Sequence, residues 1–387
     1  MVDRPYRPLG SRLIAGRRAY GGLARTVIDS EWDAFLQASP IGHFQQSSLW
    51  AQTKLSEGWH PIRCIFTVDD RIAGGFQILT RQSRMGTIGY LYKGPVSAPD
   101  EPAFLDYLLE LLVSIARTNQ LKAVIVQPPD ESKLNGAFLA RHHFLPNRIV
   151  DVISATLLVN LSFGMTDIVN RMRKSTVVQV KRARRRGVVI REGGETDIHT
   201  FFSLMKSTCE RQRTTPVPST EAALRAVWEA FRPQDGVRLS LADCEGEPVA
   251  GMWCIRFGQR ITGWKKGWSG AYPERYPNQL VAFEAIEWAC RTGGKLFDFS
   301  AMDRKIAVDM IRGVPLDENC EVSRDWFNLG FGNTAQLLPE SRIYISNPIA
   351  RFLYKGVVLA HGLARPHRAD PLFEGRGTEF GSEHPVN

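Results

Sequence analysis

The sequence lacks the cysteine and histidine spacings that mark disulfide-rich and zinc-binding proteins. Its six cysteines include no C-x-x-C pair, and its eight histidines form neither an H-x-x-x-H nor an H-E-x-x-H pattern. Several cysteines fall inside apolar strand or helix patterns, so we expect free buried thiols and no metal site. The cysteines are Cys64, Cys209, Cys244, Cys254, Cys290 and Cys320.

Long hydrophobic runs are also missing from the sequence. No stretch of about 18 apolar residues occurs, so no membrane-spanning helix is predicted. The basic start MVDRPYRPLGSRLIAGRR has no apolar region of the kind that a secretory signal requires. These two absences predict a cytoplasmic protein. With 387 residues, of which 43% are hydrophobic, the chain is long enough for two domains, because single cores stop growing near ~250 residues.

The net charge of +9 is concentrated in one segment. Residues 171–191 contain nine Lys and Arg and no acid. A helix is predicted over 166–186, with an apolar face formed by Ile168, Met172, Thr176, Val180 and Ala183. The opposite face carries Arg171, Lys174, Lys181, Arg182 and Arg185. A solvated surface is one interpretation, and a polyphosphate partner, which would offset the repulsion between these cations, is the other. A basic leucine zipper is excluded because no heptad repeat follows the segment.

One structural module occurs twice, displaced by roughly 175 positions. CIFTVDDRIAGGFQILT and SLADCEGEPVAGMWCIRFG both predict a hairpin with an Ala-Gly pair in the second strand. Each hairpin is followed by a strand rich in aromatic and basic residues, GYLYKGPV or TGWKKGWSG, and then by a long helix and an apolar strand. The pattern predicts an α/β protein with two mixed sheets that have helices on their faces.

The assembled motifs resemble the FemABX family, the aminoacyl-tRNA-dependent peptidyltransferases that build peptidoglycan side bridges. The matching segments occur in the family's order between about residues 30 and 355. The resemblance implies two tandem GNAT-like domains, of the acyl-CoA N-acyltransferase type. The segments are FQQSSLWAQTKLSEGW, YKGPV, MRKSTVVQVKRARRRGV, STCERQR, GGKLFDFSAM and FNLGFG.

The predicted domain organisation follows the two modules. A basic segment at 1–26 precedes a first GNAT-like domain at 27–162 and a second at 163–335. A C-terminal helix at 336–365 is expected to pack back on the first domain, and a tail at 366–387, rich in Gly, Arg, Glu and Pro, is expected to be disordered.

The resemblance implies which residues bind the substrates. Lys54 and either Arg211 or Arg213 would hold the phosphates of a nucleotide- or lipid-linked muropeptide in an interdomain cleft. Trp50 lies one helical turn from Lys54, and Tyr92 and Lys93 would line the rim of the first domain. The aminoacyl-tRNA would bind the five cations of the basic helix. The expected partners are therefore an aminoacyl-tRNA, a muropeptide-like or other diphosphate-linked acceptor, and, at its periphery, the inner face of the membrane.

The implied reaction is attack of an amine on the ester carbonyl of an aminoacyl-tRNA, which needs no metal or cofactor. Asp298, at the end of an apolar strand, is a candidate base or amine-orienting group, and its alternative role is to cap the next turn. The family commonly has a catalytic lysine at the position of Asn328. Lys305 is a candidate replacement for that lysine, although a plain surface lysine is the alternative.

Two rival functions remain open from the sequence. An acyl-CoA-dependent GNAT N-acyltransferase of polysaccharide or small-molecule biosynthesis would use a coenzyme A thioester. Its glycine-rich pyrophosphate loop is absent before both long helices, where the sequence has SAPDEPAFL and AYPERYPNQLVAF. The other rival is a nonenzymatic nucleic-acid-binding protein that uses the basic helix.

Overall fold

The computed structural model describes residues 6–84, 86–98, 101–316, 323–332 and 334–363. This part of the chain divides into two compact units, one running to Val152 and resuming at Pro339, the other from Ile153 to Leu338. The expected disordered tail at 366–387 lies outside the described residues. The five described cysteines are free, but only Cys64, Cys244 and Cys254 are buried as predicted, while Cys209 and Cys290 are half-buried. Cys320 lies outside the described residues.

The first unit is built on a mixed sheet that, among the described residues, contains nine strands in the order β1-β2-β3-β4-β5-β7-β16-β8, with β6 paired to β4. Its elements are β1 (Tyr6–Ile14), β2 (Arg17–Ala24), α1 (Ser30–Ala38), α2 (Ser48–Leu55), β3 (His60–Val68), β4 (Arg71–Ser83), β5 (Gly86–Tyr92), β6 (Val96–Ser97), α3 (Pro102–Thr118), β7 (Ala123–Gln127), α4 (Gly136–Arg141), β8 (Leu145–Pro146), β16 (Arg342–Ile345) and α12 (Pro348–Leu363).

The second unit has a sheet of seven described strands in the order β10-β11-β12-β13-β14-β9-β15. Its elements are β9 (Ala155–Asn160), α5 (Gly164–Arg171), α6 (Lys174–Arg185), β10 (Val189–Gly193), α7 (Ile198–Arg211), α8 (Glu221–Phe231), β11 (Val237–Cys244), β12 (Glu247–Phe257), β13 (Arg260–Trp268), α9 (Pro277–Arg291), β14 (Leu296–Asp298), α10 (Arg304–Arg312), α11 (Arg324–Leu329) and β15 (Thr334–Leu337).

The predicted repeat is confirmed strand by strand. In the first unit β3, β4 and β5 pair antiparallel and β7 then joins β5 in parallel, with α3 as the crossover. In the second unit β11, β12 and β13 pair antiparallel and β14 joins β13 in parallel, with α9 as the crossover. Two parallel strands need such a crossover because a tight hairpin joins strands that run in opposite directions.

The two cores are separate and each fills the space between a sheet and its helices. In the first unit α3 presents Phe104, Leu108 and Leu112, all fully buried, to the sheet. In the second unit α9 does the same with Leu280 and Ile286. Burial of large aliphatic and aromatic side chains of this kind contributes about 1.5–3 kcal/mol each to stability.

The structure moves two of the expected domain boundaries. Residues 6–24 are part of the first unit, because β2 pairs with β3 and Ile14 and Ala19 enter the core. The strand β9 lies between β14 and β15, so residues 155–160 belong to the second unit and the boundary falls after Val152. The chain then returns to the first unit, where β16 pairs with β7 and β8.

The helix predicted over 166–186 is two helices, α5 and α6. The chain is extended at Met172 and Arg173, where the helical backbone stops. The predicted apolar face is correct across the break, since Ile168, Met172 and Val180 are at most 5% exposed. Thr176 and Ala183 complete the buried face.

Candidate functional site

A lysine and an asparagine from distant parts of the chain meet in the second unit. Lys266, on β13, donates a hydrogen bond from Nζ to Oδ1 of Asn328 over 2.7 Å. Asn328 lies near the end of α11 and is only 1% exposed. The Lys266 ammonium position is 4.9 Å from the ring centroid of Phe327 and 5.7 Å from that of Phe299. The amine is therefore held by one amide oxygen beside two aromatic rings.

The α11 helix that carries Asn328 is fixed by the start of α6. Ser323 caps α11 by accepting a hydrogen bond from the backbone N–H of Trp326. The Arg173 guanidinium lies 3.7 Å from the Trp326 ring centroid and donates to the Trp326 carbonyl. The Arg173 backbone N–H also donates to the Gly330 carbonyl. The break between α5 and α6 thus places Arg173 against α11 and positions Asn328.

The environment of Lys266 favours its neutral form. The pKa of Lys266 is lowered to about 7, chiefly by burial and to a smaller extent by Arg324, while Asp325 opposes the shift. Its neighbour Lys265 has a pKa lowered to about 8, mainly by burial. A neutral amide partner hydrogen-bonds the amine without the charge that would restore a normal pKa. Near neutral pH Lys266 is consequently a mixture of amine and ammonium, which is the condition for proton transfer in both directions.

Asp298 does not present a free carboxylate. It is 5% exposed, and its Oδ2 forms an ion pair with Arg260 Nη1 at 3.1 Å. Its Oδ1 accepts hydrogen bonds from the Thr156 hydroxyl and the Ser300 backbone N–H. The expected base is therefore engaged on both oxygens, and the alternative role, a cap on the following turn, matches the bond to Ser300.

Lys305 is an exposed side chain in the first turn of α10. Its backbone N–H is capped by Asp303, and it is Lys266 whose amine meets Asn328. The exposure of Lys305 matches the alternative, a plain surface lysine, and its replacement of the family lysine stays a prediction. Lys266 was not singled out because TGWKKGWSG offers only a local cluster of basic and aromatic residues, and its partner lies 62 positions away.

The candidate residues of the first unit are buried. Lys54 is 1% exposed, with its Nζ 3.0 Å from Glu57 Oε1 and 4.3 Å from the Trp50 ring centroid. A solvated helix lysine is therefore excluded, and the Trp50–Lys54 spacing does form a cation–π contact. Tyr92 and Lys93, expected on a rim, are buried as well. Burial raises the pKa of Tyr92.

Arg211 and Arg213 are exposed on the second unit. The Arg211 guanidinium lies 4.8 Å from the Trp268 ring centroid and donates to the Trp268 carbonyl. Trp268 is the last residue of β13, two residues after Lys266, so Arg211 contacts the same strand that carries Lys266. Arg213 follows the end of α7 with a left-handed backbone, φ 54°. That these arginines bind phosphate stays a prediction.

The predicted basic face is solvent-exposed. Arg171 at the end of α5 and Lys174, Lys181, Arg182 and Arg185 on α6 are all exposed. Among the residues that the structure describes, none of these five is in an ion pair, whereas Arg184 pairs with Glu284 at 2.7 Å. Uncompensated cations on one face are what binding to a nucleic-acid backbone requires.

No group of three or more His, Cys, Asp or Glu side chains in the described ranges is arranged to hold a metal ion. Within the same ranges, no helix combines the length and apolar character needed to cross a membrane.

Comparison with known proteins identifies relatives of both units. The model of the FemAB family matches residues 27–143, and that of an acetyltransferase (GNAT) domain matches residues 170–305. The lipid II:glycine glycyltransferase of Staphylococcus saprophyticus is 25% identical over 235 residues, 58% of this chain and 56% of that protein. The enzyme of the same name from Staphylococcus aureus is 25% identical over 197 residues, 48% and 47% of the two chains. The chain thus spans about half the length of the curated relatives it matches.

The crystal structure of FemX is similar along most of the chain. It has a TM-score of 0.71 at 18% identity, covering 84% of this chain and 97% of that chain. This likeness establishes the fold, a mixed α/β architecture with GNAT-like units. The predicted resemblance to the FemABX family is confirmed by the match of the FemAB family model to residues 27–143 and by the similarity to the glycyltransferases.

Proposed function

We propose that this protein is an aminoacyltransferase that moves an amino acid from aminoacyl-tRNA to an amine of a lipid- or nucleotide-linked cell-wall precursor. The observation that carries the proposal is the Lys266–Asn328 pair, an amine near its titration point beside aromatic rings in a GNAT-like unit. The names of the relatives, lipid II:glycine glycyltransferases, support the acceptor class.

The proposed chemistry uses Lys266 as a proton carrier. The nitrogen of the acceptor amine attacks the ester carbonyl carbon. As this bond forms, the neutral amine of Lys266 accepts a proton from the acceptor nitrogen. The ester C–O bond then breaks, and the Lys266 ammonium returns the proton to the departing ribose oxygen. An amide and a free tRNA hydroxyl result, so the atoms balance. Acid–base assistance of this kind contributes ~10²–10⁴-fold in rate.

Asn328 has the positioning role in this scheme. Its Oδ1 fixes the direction of one Nζ–H bond, which leaves the lone pair of the neutral amine available to a substrate. Because an amide carries no charge, it orients the lysine without favouring the ammonium form. The chemistry needs neither metal nor organic cofactor.

The basic face of α5 and α6 is the proposed binding surface for aminoacyl-tRNA. Its five cations are exposed and make no ion pair with a described residue, so they can contact phosphates without first breaking a pair, whereas Arg184 is paired with Glu284. Arg211 remains a proposed phosphate-binding residue for the acceptor, whereas Lys54, buried and paired with Glu57, does not present its ammonium at the surface of the first unit. Arginine is suited to this role because its planar fork bonds two phosphate oxygens at once. We place the reaction in the cytoplasm, where aminoacyl-tRNA is supplied, at the inner face of the membrane.

A labelled-donor assay tests the proposal. The purified protein is incubated with radiolabelled mixed aminoacyl-tRNA and either nucleotide-linked or lipid-linked muropeptide precursors, with and without ribonuclease pretreatment. Label is expected in a precursor, and ribonuclease should abolish the transfer. Transfer from an acyl-CoA in place of aminoacyl-tRNA would contradict the proposal and establish the acyltransferase alternative.

A further inference from the structure

The C-terminal helix α12 has its apolar side chains on the outside. Ile349, Phe352 and Leu353 are 72%, 75% and 64% exposed, and Val357 is 50% exposed. These positions follow the i, i+3, i+4, i+8 spacing that puts residues on one helical face. A helix of a globular unit normally buries this face. α3 of the same unit does so, with Phe104 and Leu108 at 0% exposure.

The side of α12 that meets its own unit is the more polar one. Arg351 donates from Nε to the Ile345 carbonyl and stacks 4.8 Å from the Tyr344 ring centroid. The Tyr354 hydroxyl donates to the Pro146 carbonyl and accepts from the Arg148 backbone N–H. These hydrogen bonds fix the rotation of the helix. The outward direction of the apolar face is therefore imposed by specific contacts.

The charge of the helix identifies the kind of partner. Residues 348–363 contain no Asp or Glu, and the exposed Lys355 lies at the border of the apolar face, next to Phe352. A bilayer with anionic headgroups complements both features, because the apolar side chains enter the acyl boundary while lysine meets phosphate.

We propose that α12 is an interfacial anchor that lies in the surface of an anionic membrane, with Ile349, Phe352, Leu353 and Val357 inserted among the lipids. The proposal rests on the proposed function for its setting, since a lipid-linked acceptor is met only at a membrane. It gives the protein a means of reaching that acceptor.

Vesicle sedimentation tests the anchor without any transfer assay. The full chain is mixed with large unilamellar vesicles of phosphatidylcholine, with or without one third phosphatidylglycerol. We expect wild-type protein to bind the anionic vesicles. Phe352→Ser together with Leu353→Ser should weaken this binding at least about tenfold, because two large apolar side chains no longer enter the bilayer. Lys355→Glu should weaken it about fivefold or more, and only on anionic vesicles.

The matched control is Val189→Ser together with Ile311→Ser, which removes two exposed apolar side chains of the second unit, 60% and 56% exposed. This control should bind as wild type does. Equal binding by wild type and the α12 double variant, absence of wild-type binding, or equal loss in the control would each overturn the proposal. So would self-association in the absence of lipid that the α12 double variant abolishes, because the face would then belong to a second copy.

Transfer to a water-soluble, nucleotide-linked acceptor separates this proposal from the proposed function. The α12 double variant should retain wild-type rates on that acceptor and lose rate on the same muropeptide presented in vesicles. An equal loss on both acceptors contradicts the anchor. A wild-type protein that binds vesicles yet transfers to neither acceptor contradicts the proposed function and leaves the anchor supported.

Discussion

Each unit has a lysine in or just after the third strand of its antiparallel set, β5 in the first unit and β13 in the second. The two lysines have different partners. Lys93, directly after β5 of the first unit, has its Nζ 2.5 Å from the carboxylate of Asp130, and both are buried. Lys266, within β13 of the second unit, has its Nζ 2.7 Å from the amide of Asn328. The first pair is charge-compensated, whereas the second leaves the lysine to titrate near neutral pH. The charge of the partner is therefore the difference on which the proposed role of Lys266 as a proton carrier depends.

Removing the Lys266 amine is expected to have the largest effect on activity. Lys266→Ala should lower the transfer rate constant by ~10²–10⁴, with little change in the KM for either substrate, because the proton carrier is lost and the binding residues remain. Lys266→Arg should not rescue the rate, since arginine keeps its proton. Single-turnover kinetics provide the measurement. A Lys266→Ala variant with wild-type kcat would contradict the role of Lys266 as the proton carrier.

Removing the Lys93 ammonium should instead reduce stability. Lys93→Ala is expected to lower the free energy of unfolding by about 3–5 kcal/mol, because a buried carboxylate loses its compensating charge. Urea denaturation measures the change. Adding Asp130→Leu to Lys93→Ala should recover much of the loss, which shows that the pair acts through charge. If the single variant were as stable as wild type, Lys93 would have no structural role.

The sequence predicted the fold well because its signals are local. Strand and helix periodicities in CIFTVDDRIAGGFQILT and SLADCEGEPVAGMWCIRFG identified the repeated hairpins that the structure contains. The hairpin of β1 and β2 was missed because β1 is exposed along almost its whole length and has no alternating apolar pattern. Its pairing depends on the open edge of β3, which local sequence does not describe.

The break between α5 and α6 is a second feature that the local sequence does not predict. Residues 165–186 contain neither proline nor glycine, so the helical periodicity of apolar residues continues across the break at Met172 and Arg173. The helix ends there because Arg173 makes three contacts with the α11 region, on Trp326 and Gly330. These tertiary contacts outweigh the local helical preference.

The candidate site was predicted only in part. Asn328 was identified through its place in FNLGFG. Asp298 was named from GGKLFDFSAM, and Lys305 from its place a few residues after that motif. The partner Lys266 could not be assigned, because a hydrogen bond across 62 residues leaves no spacing in the sequence. The titration of that lysine depends on burial, which only the packed structure determines.

Arg211 provides a smaller test within the second unit. Arg211→Ala should raise the KM for a pyrophosphate-bearing acceptor about 30-fold, since a charge-assisted phosphate contact contributes roughly 2 kcal/mol. Arg225→Ala is the control, because Arg225 already pairs with Glu195 and Glu221. Unchanged KM in the Arg211 variant would remove the arginine from the acceptor site.

The basic face should have the smallest effect on the transfer rate at saturating aminoacyl-tRNA and a clear effect on the salt dependence of binding. Replacing Lys181, Arg182 and Arg185 by Ala should reduce the slope of log affinity for aminoacyl-tRNA against log salt by roughly 2–3, as about three phosphate contacts are lost. Arg184→Ala should leave the slope nearly unchanged, because Arg184 pairs with Glu284. Identical slopes in the triple variant and wild type would make this face an ordinary solvated surface.

The pH dependence of transfer tests the Lys266 assignment most directly. With saturating substrates, the wild-type rate should rise as pH increases through about 7, where Lys266 becomes neutral. Asn328→Asp puts a carboxylate beside the amine, as Asp130 is beside Lys93, and favours the ammonium. We therefore expect the rise to move ~1–3 pH units upward in this variant, with Lys305→Ala unchanged as the control. Superimposable profiles for wild type and Asn328→Asp would contradict proton transfer by Lys266.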